Sequence, residues 1–108
     1  APYTSAAPSV TVRRAQLVDV LQLCALVNSY AAEKLLLPRS TEQIALALDD
    51  YTVMVDAGGR VLACAALTEY SPSVAEISSV AVLRELRGRG YGAQVVLAVE
   101  QVARQRGL

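Results

Sequence analysis

The segment LRGRGYG, residues 86 to 92, places glycines at 88, 90 and 92 with Arg87 and Arg89 between them, directly ahead of an apolar helical stretch. Small residues let a ligand approach the main chain, and the first N–H groups of a helix have no partner within it, so such a turn suits a phosphate. The two guanidinium groups add charge-assisted hydrogen bonds. Spacing separates the motifs that use this physics. A Walker loop needs Lys and then Ser or Thr after its last glycine, the dinucleotide fingerprint needs Gly-x-Gly-x-x-Gly, and neither pattern is present. Two further features could do chemistry. Glu76 in VAEISSVAV (74–82) is a carboxylate able to take a proton from an amine, with Glu69 as the lesser alternative. Arg39 in LLLPRS (35–40) could hold a carboxylate through a bidentate bond. The plain structural readings of these three features are a solvated turn capping a helix, a charge at a strand start and a surface arginine.

Other chemistry is excluded. The 108 residues contain no histidine, which removes a Ser-His-Asp triad, a Cys-His dyad and a histidine-ligated metal. Cys24 and Cys64 lie far apart in apolar segments with no Cys-x-x-Cys pair, and they read, with Met54, as packing residues, the thiols reduced as in a cytosolic protein. No metal site is expected. Ten basic residues balance ten acidic ones, so no overall field draws the chain to nucleic acid or an anionic membrane, and an anion site must be local. No apolar run approaches the roughly 20 residues that span a bilayer. The opening APYTSAAPS lacks a basic region followed by an apolar core and reads as a flexible leader, residues 1–9, ahead of one domain over 10–108. The missing initiator Met and the end at RQRGL suggest a fragment or a processed piece.

The elements that must position these residues follow from local pattern. SVTVRRA (9–15) predicts a short strand. Val20, Leu23, Cys24, Val27 and Ala31 recur at helical spacing, with Asp19 supporting the first turn electrostatically. Lys34 reads as a solvated charge at the end of this helix. Pro38 interrupts the pattern; Ser40 and Gln43 then have capping-box spacing for a short helix in TEQIALAL. YTVMVD and RVLACAALTEY, joined by AGG, predict a hairpin. VAEISSVAV predicts a further strand, on which simple alternation puts Glu76, Ser78, Val80 and Val82 on one face. From Gly90 a helix carries Val95, Ala98, Val99 and Val102 on one side, with Gly107 ending it. The order strand, helix, helix, three strands, helix predicts an α+β domain, a sheet with helices packed on it.

In this setting the glycine segment resembles the pyrophosphate loop of the GNAT superfamily of acyl-CoA N-acetyltransferases, whose pattern is Arg or Gln, two residues, Gly, one residue, Gly or Ala. Arg87, Gly90 and Gly92 occupy those positions. SVAVLREL resembles the family's fourth strand and its exit, VRRAQLVDV its first strand and helix entry, and Arg84 stands where many members have proline. LLLPRS with EQI, CAAL and AEISSVAV are similar to the acetyltransferase domain of N-acetylglutamate synthases. The amino-acid-kinase-like domain of many such enzymes has no counterpart in the 108 residues, which implies the short, kinase-less type and puts the usual site of arginine feedback in doubt.

The resemblance implies a GNAT fold lacking its C-terminal strands and helix, which finish the substrate pocket and supply the group that protonates the departing CoA thiolate. It implies acetyl-CoA as donor, held by the backbone of Arg87, Gly88, Arg89, Gly90, Tyr91 and Gly92, with Tyr91 otherwise a packing residue. Val80, Ala81 and Val82 would pair their main chain with the pantetheine arm, one backbone amide polarising the thioester carbonyl. Glu76 becomes the general base, and Arg39, with the backbone near Leu37, the binding group for L-glutamate. The implied reaction is acetyl transfer to the α-amine of glutamate in arginine biosynthesis, in the cytoplasm, without a covalent enzyme intermediate; family habit adds a homodimer. The alternatives are another amine (a protein N-terminus, a polyamine or an antibiotic), and a noncatalytic acetyl-CoA-binding module.

Overall fold

The structure, a computed structural model, describes residues 9–108, so the leader expected over residues 1–9 lies, apart from Ser9, outside the described residues. The elements follow in the expected order: β1 (Val10–Arg14), α1 (Val20–Glu33), α2 (Thr41–Leu46), β2 (Tyr51–Asp56), β3 (Val61–Ser71), β4 (Val74–Val82) and α3 (Tyr91–Gln105). Three single-turn 3-10 segments, Leu17–Asp19, Leu48–Asp50 and Arg84–Leu86, add to them and are too short to show a periodicity in sequence.

The four strands form one antiparallel sheet in the order β1-β2-β3-β4. The β2–β3 turn closes on Asp56, whose Oδ1 accepts from the backbone N–H of Gly58 and of Arg60, both at 2.9 Å, while Gly59 takes φ +83°. α1 and α2 cover one face. There Leu23, Val27 and Ile44 pack on Tyr51, Val53, Cys64 and Ala81. α3 covers the other, with Val95 and Val99 fully buried against Met54, Ala63, Ala65 and Leu67. Burying a side chain of this kind contributes roughly 1.5–3 kcal/mol, so the predicted apolar face of α3 is enough to seat it. Cys24, Cys64 and Met54 are buried and both thiols are free, as packing roles require.

The helix ends obey local chemistry. The Ser40 hydroxyl accepts from the Gln43 N–H at 3.1 Å and the Gln43 side chain accepts from the Ser40 N–H at 2.8 Å, which is the expected capping box. Gly107, at φ +79°, lets the Leu108 N–H return to the Ala103 carbonyl at 2.9 Å and closes α3. Asp19 does more than support a helix dipole. Its carboxylate is 1% exposed, accepts from Arg13 at 2.7 and 3.1 Å and from the Gln16 N–H at 2.7 Å, and so ties β1 to the start of α1.

One expectation fails in β4. The strand does not present Glu76, Ser78, Val80 and Val82 on a single face. Its register with β3 slips between the Cys64–Ala81 and Ala66–Ser78 pairs, leaving one extra residue in β4, and Ser79 sits there at φ +52°. A bulge of this kind reverses the side-chain phase. Ala75 and Ile77 before it, and Val80 and Val82 after it, all pack on the α3 side, whereas Ala81 joins the α1 side. Glu76, opposite Thr68, therefore shares the α1–α2 face with Cys64 and Ala66.

Candidate active site

β4 is an edge strand, so the outer side of its main chain has no neighbouring strand among the described residues. Its C-terminal half runs through Leu83 and the turn Arg84–Leu86 into the glycine loop. Gly88 and Gly90 take φ +85° and +80°, a region that L side chains occupy at a cost, and Gly90 is the residue before α3. No side chain caps this helix. The first intrahelical bond is from the Gln94 N–H to the Gly90 carbonyl at 3.1 Å, so the amides of Tyr91, Gly92 and Ala93 precede the hydrogen-bonded ladder. A Cβ at Gly88 or Gly90 would meet nothing within 4 Å. The loop is thus an open surface, free of side chains at its glycines and edged with backbone donors, at the positive end of a helix dipole.

The arginines of this segment divide their work. Arg87 donates from Nη2 to both Glu33 oxygens, at 2.9 and 3.0 Å, and from Nε to the Val82 carbonyl at 3.4 Å. Arg84 reaches the same Glu33 at 3.2 Å. Together they hold the Glu33 carboxyl below the usual carboxylate range and fasten the last turn of α1 to the loop. Arg87 is therefore a brace between α1 and the loop as much as a source of charge. Arg89 is exposed. Tyr91 packs against the α3-side core, in keeping with a packing role. A cavity of about 270 Å³ lies between Tyr30, Glu33, Lys34 and Arg87 on one side and Val80–Val82 on the other.

The acceptor candidates lie on the α1–α2 face. Arg39 follows Pro38 in the loop between α1 and α2, where its backbone is gripped by Asn28: the Arg39 N–H donates to Asn28 Oδ1 at 2.7 Å, and Asn28 Nδ2 donates to the Arg39 carbonyl at 2.8 Å. Its guanidinium donates from Nη1 to the Tyr51 hydroxyl at 3.3 Å. Burial pushes the Tyr51 phenol up, and the Arg39 charge partly offsets this. Tyr51 pairs with Ala66 of β3, which pairs in turn with Ser78 beside the bulge in β4. Glu76 lies nearer the start of β4 and accepts from the Tyr70 hydroxyl at 3.1 Å, which raises the phenol. Glu69, the other carboxylate considered, is engaged by Arg106 at 2.8 Å, after the end of α3, on the far side of the sheet. Leu37 is 89% exposed, so only its main chain is a candidate for contact.

Asn28, Tyr51, Ser79 and Glu33 were not singled out from sequence. For Ser79 a signal exists: Ala75 and Ile77 alternate in one phase, Val80 and Val82 in the other, and a pair of serines separates them. The other three act through contacts across the chain, and their local pattern is that of ordinary helix and strand residues.

The sequence and fold are similar to those of known proteins. The model of the acetyltransferase (GNAT) family matches residues 16–108. An uncharacterised N-acetyltransferase of Chlorobaculum tepidum is 36% identical over 102 residues, covering 94% of this chain and 65% of that protein. Among solved structures, Rv2747 from Mycobacterium tuberculosis in complex with CoA superposes with a TM-score of 0.83 at 35% identity, over 91% of this chain and 60% of that one. N-acetylglutamate synthase from Neisseria gonorrhoeae, complexed with coenzyme A and N-acetyl-glutamate, gives a TM-score of 0.83 at 27% identity, over 93% of this chain and 24% of its own. The chain thus spans less than two thirds of the length of each of these proteins. With a family model matching over most of its length, the chain belongs to the acetyltransferase (GNAT) family.

Proposed function

We propose that this chain forms the acetyl-CoA-binding part of an N-acetyltransferase whose acceptor is the α-amine of L-glutamate. The observation that carries this reading is the bulge at Ser79. It divides β4 into a half that feeds the glycine loop along an open edge and a half that turns Glu76 to the face bearing Arg39. The names of the relatives, an N-acetyltransferase and an N-acetylglutamate synthase complexed with coenzyme A, support donor and acceptor respectively.

The loop fits a diphosphate by three properties: left-handed glycines, an uncapped helix start and open space where side chains would stand. The amides of Arg87 to Gly92 would hold that group, and the main chain of Val80, Ala81 and Val82 would pair with the extended arm beyond it, as an added strand pairs with a sheet edge. Bound acetyl-CoA supplies the acetyl group as a thioester open to attack by an amine. An outward amide of β4 donates a hydrogen bond where negative charge develops on the carbonyl oxygen, and a fixed donor of this kind is among the larger contributions to acyl transfer. Glu76, directly or through water, takes the proton from the substrate ammonium and frees its lone pair. Arg39 binds a substrate carboxylate, helped by the main chain near Leu37.

The test is CoA release from acetyl-CoA with L-glutamate, for wild type and Glu76→Gln. The variant keeps the size and hydrogen bonds of the side chain and loses the base, so its rate should fall by roughly a hundredfold or more. Full activity in Glu76→Gln removes the base assignment. A polyamine or peptide N-terminus preferred over glutamate removes the acceptor assignment, and CoA binding without turnover on any amine leaves a binding module.

A further inference from the structure

We propose that Tyr51 and Asn28 are positioning residues for the acceptor: together they hold Arg39 as a preformed receptor for a carboxylate. The proposal rests on the reading of Arg39 given above and extends it to two residues that touch neither donor nor acceptor.

An arginine in an exposed loop is a poor receptor unless it is held, because ordering a long side chain costs about 2 kcal/mol of rotamer entropy. Arg39 is held at both ends. At the main chain, Asn28 offers one acceptor and one donor to the N–H and carbonyl of the same residue, at 2.7 and 2.8 Å, as a paired strand would. Asn28 itself stands on α1, fixed by the buried stripe of that helix, and Cys24 one turn earlier donates from Sγ to the same carbonyl at 3.4 Å. At the far end, Nη1 donates to the Tyr51 hydroxyl. Tyr51 is 1% exposed at the first position of β2, so its ring cannot move to follow the arginine; the arginine is held where the ring is. The guanidinium has five N–H donors and one is used here, leaving donors for a bidentate carboxylate.

Tyr51 itself pairs with Ala66 across the β2–β3 ladder, and Ala66 pairs with Ser78, next to Ser79, the left-handed residue of the bulge. Two ladder pairs therefore connect the residue that holds the Arg39 guanidinium to the point where β4 changes phase and its main chain leaves the regular ladder. In this arrangement the distance between acceptor carboxylate and reacting carbonyl is set by a rigid ring in the core, not by the exposed loop.

The experiment uses equilibrium calorimetry on the full chain, with three ligands: L-glutamate, glutarate and CoA. Glutarate carries both carboxylates and no amine, so it reports the receptor apart from the base. Tyr51→Phe keeps the ring in the core and deletes only the hydroxyl; Asn28→Ala frees the Arg39 main chain. Each should weaken glutamate and glutarate alike, by roughly tenfold for loss of one hydrogen bond to a charged group, and leave CoA affinity unchanged. In steady-state assays the KM for glutamate should rise while the KM for acetyl-CoA stays the same. Unchanged diacid binding in both variants, or a parallel loss of CoA binding that marks a general effect on the fold, overturns the proposal. Arg39→Ala separates the two levels: if it leaves glutamate and glutarate binding intact, the assignment of Arg39 itself falls, and with it the function proposed above.

Discussion

Two glycines of the loop, separated by a single residue, should respond to alanine in opposite ways. Gly90 precedes α3 at φ +80°, and a Cβ there would meet no atom within 4 Å. The cost of Gly90→Ala is therefore one of backbone conformation alone, about 1–2 kcal/mol for an L residue held in the left-handed region. Gly92 lies inside the first turn of α3; its Cβ would stand 3.5 Å from Val82 Cγ2 and 3.9 Å from Val80 Cγ1, which is ordinary contact. Alanine is the better helix former by up to about 1 kcal/mol, so Gly92→Ala should stabilise the fold by about half that or more. At roughly 4–8 °C per kcal/mol for a domain near this size, Gly90→Ala should melt about 4–16 °C below wild type and Gly92→Ala a few degrees above it. The chain has no tryptophan, so far-UV circular dichroism is the natural signal for the melts. Calorimetric CoA titration completes the assay: affinity should drop in Gly90→Ala, whose loop amides are re-aimed, and persist in Gly92→Ala. Equal melting temperatures for Gly90→Ala and wild type would refute the conformational argument. A loss of CoA binding confined to Gly92→Ala would show that ligand clearance at that Cβ, not loop conformation, controls the site.

Further outcomes concern parts of the molecule away from the loop. Arg13, through its hydrogen bonds, holds the Asp19 carboxyl below its ordinary range. A depressed folded value means that stability is fully present above the unfolded value, about 3.9, and is lost as pH falls through the lower folded value; urea melts at pH 5 and pH 3 should differ accordingly. Asp19→Ala should remove that acid sensitivity and cost about 3 kcal/mol, the low end for a buried pair, because the Arg13 side chain is 25% exposed; a change below 1 kcal/mol would contradict the role given to this pair. Leu35 stands just beyond α1 at φ +57° while 94% exposed, so Leu35→Gly should stabilise the chain by about 1 kcal/mol, measured by thermal melting, and leave the core packing as it is. Burial pushes the Cys64 thiol up to about 12, and alkylation at pH 8 should label it only after unfolding; rapid labelling of the native chain would contradict its burial.

The sequence by itself determined the elements, because their causes are local. A 3.6-residue recurrence placed Leu23, Val27, Val95 and Val99 in the core, a serine and a glutamine three apart capped α2, and glycines marked the left-handed points other than Leu35 and Ser79 among the described residues. The glycine loop was legible for the same reason: what suits it to an anion is its own backbone and the helix it opens. Tertiary structure decided how the candidate residues meet. Alternation carried through VAEISSVAV puts Glu76 with Val80 and Val82, and only the pairing with β3 shows the extra residue at Ser79 that separates them. The setting of Arg39 depends on Asn28 and Tyr51, 11 and 12 positions away, and the bracing of Arg87 depends on Glu33, 54 positions away. Short-range pattern records which face of its own element a residue occupies; which other element that face meets is fixed by packing between segments distant in the chain, and no local spacing encodes it.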